Sequence, residues 1–227
     1  MRIGILGTGI VGQTLGGKLV ELGHDVMMGT RDVASTLART EPDAFGAPAF
    51  RVWQGAHPAV KLGTFAEAAR HGDLVINATS GVGSMSALHL AGATHLGDKI
   101  LLDAANPLDY SQGMAPILTV CNTDSLGEQI QRTFPQVRVV KVLNTVTAPL
   151  MVAPQAVAGG DHTLFLCGND AAAKAQVRAW LADWFGWREF LDLGDITSAR
   201  GMEIYLLLWL RLWGAVGTGM LNVKVVT

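Results

Sequence analysis

The stretch RIGILGTGIVGQTLGGKLVELGHDVMMGTRD, residues 2–32, decides the fold of this 227-residue chain. It begins with an apolar run, RIGIL (2–6), which is typical of a buried strand in a parallel sheet. The turn GTGIVG (7–12) follows, and apolar residues then recur at helical spacing as far as Gly23, a residue suited to end a helix. DVMM (25–28) predicts a second strand. This order of strand, glycine-rich turn, helix and strand is the βαβ setting in which such a turn binds a dinucleotide.

The three glycines of GTGIVG stand in the register of a phosphate-binding turn. Gly7 would permit the tight turn, Gly9 would let the backbone approach a pyrophosphate, and Gly12 would let the helix pack close to the sheet. The start of the helix offers unpaired N–H groups and a partial positive charge to an anion. We therefore predict a pyrophosphate cradle; a glycine turn without a ligand is the alternative. Three further residues would contribute backbone contacts: Thr8, Ile10 and Val11.

The end of the second predicted strand indicates which nucleotide binds. Enzymes that use NAD usually place an acidic residue there, which accepts a hydrogen bond from the ribose 2′-hydroxyl. In this chain Gly29 follows the strand directly, and Thr30 and Arg31 come next. A hydroxyl and a guanidinium suit a 2′-phosphate, so we predict NADP(H) as the cofactor. Asp32 could instead serve an NAD ribose, but we expect it to point away or to cap the next short helix.

The rest of the chain continues to alternate between helices and strands. A short helix near 34–40 and a surface excursion at 41–50 come first, and a last helix runs from about Thr197 to Gly214 or Gly217. Strands are predicted at 73–79, 99–105, 137–144, 162–168 and 188–194. The alternation predicts an α/β Rossmann fold, a doubly wound and mostly parallel sheet with a small C-terminal α/β extension. We divide the chain into an NADP-binding Rossmann domain (1–145) and a C-terminal part (146–227) that completes the sheet.

Composition limits the classes of function. The formal net charge is −2, so no basic face for nucleic acid is expected. Cys121 and Cys167 lack the CxxC spacing of a metal site, and we interpret them as buried thiols of a cytoplasmic protein. The apolar run 2–6 is too short for a signal peptide. His89 and His95 do not share a helical face, and no metal site is predicted.

The apolar stretch IYLLLWLRLWGAVGTGML (204–221) raises the question of a membrane span. Its only charged residue, Arg211, lies near its centre, where it would cost about 2.5–3.5 kcal/mol in a bilayer. Gly214, Gly217 and Gly219 interrupt the second half. We therefore expect no contact with a membrane, and instead a helix that is buried in the core or in a dimer.

The order of motifs along the chain resembles that of one family. The motifs are GTGIVG (7–12), GTRD (29–32), DAANPL (103–108), VVKVLNTV (139–146) and DLGDITSARGMEIY (192–205). They occur in this order in the NADP oxidoreductases that depend on the deazaflavin coenzyme F-420 and in their bacterial relatives, and the N-terminal domain of the STEAP metalloreductases is similar. The resemblance implies hydride transfer between NADPH and a small-molecule electron acceptor, which would be coenzyme F-420, FMN or FAD.

The resemblance also implies a homodimer in which the C-terminal part walls the acceptor pocket and forms the interface. No acid–base catalyst is implied, because the cofactors carry the chemistry, and no catalytic residue is assigned. Further cofactor contacts are implied at the ends of three strands, on the rim of the sheet where ligands bind in open α/β folds. These residues are Asn77, Ala78, Thr79, Ser80, Asn106, Pro107 and Asn144.

The chain departs from that family at three places. Ser80-Gly81-Val82-Gly83 stands where deazaflavin reductases often carry Ile-Pro, and Asn144 stands where they tend to have His. Ala34, Ser35 and Thr36 stand where a basic residue often follows the segment matched by GTRD. The first two departures lie near the electron acceptor, so they bear on the identity of the acceptor and leave NADP binding intact.

Two alternative functions remain open from the sequence. One is an NADP(H)-binding sensor or regulatory protein that does not turn over. The other is a dehydrogenase of small hydroxy acids, which would use a lysine such as Lys141. Those enzymes carry their lysine in a long helical second domain that this chain is too short to hold, so we interpret Lys141 as structural or as a ribose contact.

Overall fold

The computed structural model describes residues 1–43, 46–113 and 116–227, and ten strands lie within them. The strands are β1 (Arg2–Leu6), β2 (Asp25–Thr30), β3 (Lys61–Thr64), β4 (Leu74–Asn77), β5 (Ile100–Asp103), β6 (Leu108–Asp109), β7 (Ile117–Leu118), β8 (Arg138–Val142), β9 (Leu164–Cys167) and β10 (Phe190–Asp192).

Helices lie between most of these strands. They are α1 (Ile10–Glu21), α2 (Val33–Ala38), α3 (Phe50–Ala56), α4 (Phe65–His71), α5 (Gly81–Ala91), α6 (Ala93–Leu96), α7 (Leu126–Thr133), α8 (Ala148–Val152), α9 (Ala171–Phe185) and α10 (Ala199–Val216). Short 3-10 helices occupy Pro154–Ala156, Ala158–Gly160 and Ile196–Ser198.

Eight of the strands form one sheet in the order β10-β9-β8-β5-β4-β1-β2-β3. From β3 to β8 each strand is parallel to its neighbour, which gives the strand order of a doubly wound Rossmann sheet. β9 runs antiparallel to β8, and β10 runs parallel to β9, so the last two strands extend the sheet in the opposite direction. The predicted fold class is confirmed. The sheet continues across residue 145, and the division into two functional parts there stays a prediction.

Helices cover both faces of the sheet, and a hydrophobic cluster lies under each layer. Leu15 of α1 and Val177 of α9 pack in one cluster, and Leu88 of α5 and Ile130 of α7 pack in the other. Neighbouring residues of a strand therefore point into different clusters, as Val139 and Val140 do in β8. Both faces of the inner strands are buried, which explains why these strands are mostly apolar.

The structure departs from the predicted elements in its shortest pieces. β3, α3 and the antiparallel pair β6–β7 were not expected, because segments of two to seven residues carry too little pattern. α2 confirms the short helix predicted near 34–40. The surface excursion predicted at 41–50 includes residues 44 and 45, which lie outside the described residues. Cys167 is buried as predicted, but Cys121 is exposed, so the prediction of two buried thiols was wrong for Cys121.

The last helix, α10, buries one side and leaves another side in solvent. Met202, Leu206 and Trp209 pack in the core, whereas Leu208 is 55% and Val216 is 62% exposed. Within residues 1–43, 46–113 and 116–227, no helix combines the length and the hydropathy that crossing a membrane would require.

Candidate nucleotide-binding groove

A groove of about 590 Å³ runs along the carboxyl ends of the central strands. Ligands of open α/β sheets bind at this rim, where the strand order reverses on either side of β1. Most of the residues predicted to bind the cofactor line it: Gly7, Thr8, Gly9, Ile10, Val11, Thr30, Arg31, Ala78, Thr79, Ser80 and Asn106. All of the described lining residues fall between residues 7 and 110. Within one chain, the C-terminal part therefore contributes none of the described lining residues.

Four of the predicted cofactor residues lie behind the groove surface. Gly12 of α1 packs against Gly7 and against Met28 of β2, and Pro107 is buried. The side chains of Asn77 and Asn144 are 0% and 2% exposed and are bonded to other protein groups. None of these four positions presents a side chain to the groove. They can affect the groove only through the neighbouring residues that they support.

Two of the three glycines in GTGIVG are required by the protein itself. Gly7 has a φ of +116°, and a Cβ there would lie 2.5 Å from the carbonyl oxygen of Ala78. A Cβ on Gly12 would lie 2.4 Å from the carbonyl oxygen of Gly7, so the helix could not approach the turn. Both roles agree with the sequence-based interpretation.

Gly9 has no such protein neighbour among the described residues. Its φ is −81°, and the nearest atom to a Cβ there is Asp43 Oδ2 at 3.6 Å. Gly9 is the N-cap of α1, and no side chain caps the free N–H groups there. An uncapped helix start, beside a position that the fold leaves open, fits a pyrophosphate.

At the other side of the turn, the end of β2 excludes an acidic residue on packing grounds. Gly29 lies inside β2, and a Cβ there would be 2.9 Å from Ala68 Cβ and 3.1 Å from Phe65 Cα of α4. No side chain fits at this position without moving α4. Asp32 caps α2 instead, because its Oδ1 accepts a 2.7 Å hydrogen bond from the Ser35 N–H. That bond lowers the pKa of Asp32. The prediction that Asp32 caps the next helix is confirmed.

The hydroxyl of Thr30 has a partner within the protein. Its Oγ1 lies 2.7 Å from Thr36 Oγ1, and Thr36 donates at 2.8 Å to the carbonyl of Asp32. A carbonyl can only accept, so Thr36 has no hydrogen left and Thr30 must be the donor to it. Thr30 thus offers a ligand only lone pairs, and it would have to exchange this bond before it could donate to a phosphate.

A second guanidinium reaches the same end of the groove. Arg39 follows the last residue of α2, is exposed and lines the groove together with Arg31. Arg39 was not predicted, because family members often carry a basic residue a few positions after the segment matched by GTRD, and in this chain Ala34, Ser35 and Thr36 stand there. The available signal in the sequence was the short length of the predicted helix. The chain leaves the groove after Arg31 and reaches it again at Arg39, just after that helix. We name this end, lined by Thr30, Arg31 and Arg39, the basic end.

The opposite end of the groove has no ionic side chain among the described lining residues. We name it the acceptor end, and its lining is Gly81, Gly83, Ala87, Ala104, Ala105, Asn106, Leu108 and Tyr110. Burial raises the pKa of the Tyr110 phenol, which therefore stays neutral. This surface of small and apolar groups suits a flat ring and offers no general base.

A buried ion network lies directly behind the acceptor end. Lys141 Nζ is 2.9 Å from Asp103 Oδ2 and 2.8 Å from Glu203 Oε1, and the three side chains are at most 1% exposed. Burial alone would lower the pKa of Lys141, but the Asp103 and Glu203 carboxylates raise it, so the ammonium stays charged. Asp103 and Glu203 were not predicted from the sequence. The available signal was a charged residue inside an otherwise apolar segment.

Asn144 connects the same region to α10. Its Nδ2 donates to Asn106 Oδ1 at 2.9 Å and to the Met202 carbonyl at 3.1 Å. The residue before it, Leu143, is fully buried with a φ of +69°, a conformation that a leucine rarely adopts. This sharp turn after β8 brings Asn144 against Asn106, and strain of this kind is often found at functional sites.

The groove lies where Rossmann-fold proteins bind a dinucleotide, and comparison with known proteins identifies the class as an NADP-dependent oxidoreductase. A family model described as NADP oxidoreductase, coenzyme F-420-dependent, matches residues 2–107. A crystal structure named as a candidate F-420-dependent NADP-reductase, from Arthrobacter sp. FB24, is 55% identical, covers 100% of both chains and has a TM-score of 0.95. The chain belongs to the coenzyme F-420-dependent NADP oxidoreductase family, as its motifs predicted.

Two more distant relatives extend the comparison. Metalloreductase STEAP3 of Rattus norvegicus is 28% identical over 213 residues, which are 93% of this chain but only 38% of that protein. An imine reductase of Myxococcus stipitatus, solved in complex with NADP⁺, is 14% identical with a TM-score of 0.61, and the match covers 96% of this chain and 63% of that one. At this identity the imine reductase shares the fold alone.

Proposed function

We propose that this protein transfers hydride between NADPH and a deazaflavin or flavin-type acceptor, coenzyme F-420, FMN or FAD. The observation that carries the proposal is the contrast along the groove. The basic end has two guanidiniums, the carboxylate of Asp43 lines the groove near Gly9, and the acceptor end is neutral and largely apolar. A ring that accepts hydride directly needs position and dryness from the protein and no acid–base side chain.

Different residues of the groove would bind different parts of NADPH. The turn from Gly7 to Gly12 and the start of α1 would hold the pyrophosphate through backbone N–H groups. Arg31, with Arg39 beside it, would hold the 2′-phosphate. Ala78, Thr79 and Ser80 would lie along the nicotinamide ribose.

When bound, NADPH would supply a hydride, a hydrogen with its electron pair, to the acceptor ring. Solvent would supply the one proton that completes the reduction, and NADP⁺ would be the other product. The protein has to hold the two rings parallel and in contact, and it has to keep water from between them. The small residues Ala104 and Ala105 leave room for a second ring at the acceptor end.

An acceptor screen tests this proposal. Purified protein is mixed with NADPH and, separately, with coenzyme F-420, FMN, FAD or a ferric chelate, and NADPH oxidation is followed by its absorbance. We expect turnover with at least one deazaflavin or flavin ring, and much slower turnover when NADH replaces NADPH. Lack of acceleration by every acceptor would refute an oxidoreductase of this type.

The same screen separates the alternatives. A sensor would bind NADPH, reduce no acceptor and change its oligomeric state when NADPH is added. A hydroxy-acid dehydrogenase would reduce NADP⁺ with a small 2- or 3-hydroxy acid. The structure disfavours that alternative, because the ammonium of Lys141 is 0% exposed and is engaged by two carboxylates, out of reach of a substrate.

We also propose a homodimer in which the partner's C-terminal part walls the acceptor end. The support is the apolar side of α10 that a single chain leaves exposed, including Leu208 and Val216. Light scattering should give a dimer, and Leu208→Glu should give a monomer. Val52→Glu, on the exposed side of α3 and 65% exposed, is the matched control and should stay dimeric. A monomeric wild type contradicts the proposal.

A cytoplasmic location, proposed from the two free thiols, is tested by cell fractionation.

A further inference from the structure

The buried ion network of Asp103, Lys141 and Glu203 is not explained by hydride transfer itself, since none of its members lines the groove. Taking three charges out of water is costly, and well-packed apolar residues of the same volume often stabilise a core equally well or better. The network is therefore weak evidence for a role in stability. Its hydrogen bonds lead instead to the acceptor end.

Lys141 uses all three hydrogens of its ammonium. Two go to Asp103 Oδ2 and Glu203 Oε1, and the third goes to the carbonyl oxygen of Ala105. Ala105 lines the acceptor end. An ammonium with every donor engaged has one orientation, so Lys141 fixes the direction of a carbonyl in the groove wall.

Asp103 carries the network to a second part of the wall. Its Oδ1 accepts from Asn77 Nδ2 at 2.8 Å, and Asn77 Oδ1 accepts the Thr79 hydroxyl at 2.7 Å. The remaining hydrogen of the Asn77 amide goes to Ser84 Oγ at 2.6 Å. Thr79 lines the groove, and its hydrogen is directed into the protein. It therefore presents only lone pairs to a ligand, which suits a ribose hydroxyl as the donor.

Glu203 anchors the network on the far side. Its two oxygens accept from the N–H groups of Leu126 and Gly127, at 2.9 and 3.1 Å, at the start of α7. Glu203 itself belongs to α10. One set of bonds thus connects α7 and α10 to the ends of β4, β5 and β8 beneath the groove.

We infer that the Asp103–Lys141–Glu203 network is a positioning device, which orients Thr79 and the Ala105 carbonyl so that the nicotinamide half of NADPH is held in one pose. The inference rests on the proposed function. The effect of the network is selective, because none of its bonds among the described residues reaches Arg31, Arg39 or the turn at Gly9. Its loss should leave the affinity for NADPH nearly unchanged and should disturb the nicotinamide ring.

Glu203→Gln tests this inference, with Glu128→Gln as its matched control. Both glutamates join α7 to α10, and both are nearly buried: Glu128 binds Arg200 and the Ser125 hydroxyl. Only Glu203 connects to the groove. Each variant is measured for NADPH affinity, for the fluorescence and anisotropy of bound NADPH, and for the rate of hydride transfer at saturating NADPH.

For Glu203→Gln we expect a loss of the emission gained on binding, a hydride-transfer rate lowered about tenfold or more, and an affinity within about twofold of wild type. Glu128→Gln should match wild type in all three. Wild-type values for folded Glu203→Gln would overturn the inference, and so would equal losses in the two variants, which would indicate a structural role alone.

A neutral triple variant covers the case in which the single change prevents folding. Asp103→Asn, Lys141→Met and Glu203→Gln together leave no unpaired charge in the core. Lost nicotinamide emission with retained NADPH affinity supports the inference, and wild-type emission and rate overturn it. The emission needs no acceptor, so a protein that reduces nothing refutes the proposed function without deciding this point. Normal turnover by the triple variant refutes the positioning role of the network and leaves the proposed function standing.

Discussion

The two ends of the groove use charge in opposite ways. At the basic end, Arg31 and Arg39 are exposed and line the groove itself. At the acceptor end the lining is uncharged, and the charges of Asp103, Lys141 and Glu203 lie behind it. A charge that recognises a phosphate has to be reachable by it. A charge that only orients neighbouring groups is more effective when water and ligand cannot reach it.

This difference separates what each end can contribute. In the proposed function, the exposed guanidiniums would supply affinity and the preference for NADPH over NADH. Salt would weaken their contacts with the phosphate, because charges are screened over about 8 Å at physiological ionic strength. The buried network supplies orientation, and salt does not reach it. Between the two ends lies the turn at Gly9, which would bind the pyrophosphate that NADPH and NADH share.

The largest effect is expected from Gly9→Ala, which acts on that shared part. The fold leaves room for the methyl group and the φ of −81° suits alanine, so the loss in the free energy of unfolding should be that of a poorer N-cap, about 0.5–1 kcal/mol. The methyl group would keep the pyrophosphate from the N–H groups of α1. Losing one or two hydrogen bonds to a charged group predicts binding weaker by about 100-fold for NADPH and NADH alike, measured by calorimetry.

Gly55→Ala is the control for that change. Gly55 lies in α3, and a Cβ there would have no described neighbour within 4 Å, so alanine should bind both cofactors as the wild type does and should raise the melting temperature slightly. Undiminished NADPH binding by Gly9→Ala would show that the pyrophosphate lies elsewhere. The basic end and the acceptor end would then not be joined by a shared pyrophosphate-binding turn.

The sequence predicted the turn at Gly9, which lies between the two ends of the groove, better than it predicted either end. Strand, turn and helix are local patterns, so residues 2–30 and the roles of Gly7 and Gly12 could be inferred from spacing. Arg39 returns to the groove only because α2 is short, and Glu203 meets Lys141 only because α10 packs across the strand ends. Such contacts join residues far apart in the chain, and no local pattern contains them. The close approach of α4 to Gly29 is of the same kind, although the absent acid was visible in the sequence.

A smaller loss of affinity is expected from changes at the basic end, and it should affect NADPH but not NADH. Arg31→Ala should weaken NADPH binding about tenfold and leave NADH nearly unchanged, because a charge-assisted bond to the 2′-phosphate is lost. Arg39→Ala should cost at most about fivefold, as for an exposed ion pair. Both losses should shrink as salt is raised, which titrations at low and high salt would measure.

Asp32→Asn is the matched control, since it changes the neighbouring charge and keeps the cap. Its carboxylate is engaged by the Ser35 N–H, so the ratio of NADPH to NADH affinity should stay within about twofold of wild type. Because folding lowers the pKa of Asp32, its contribution to stability is present above its unfolded pKa and is lost as the pH falls through the folded value. Equal losses of NADPH and NADH in Arg31→Ala, or a strong loss of NADH in Asp32→Asn, would instead make this end a site for an NAD ribose.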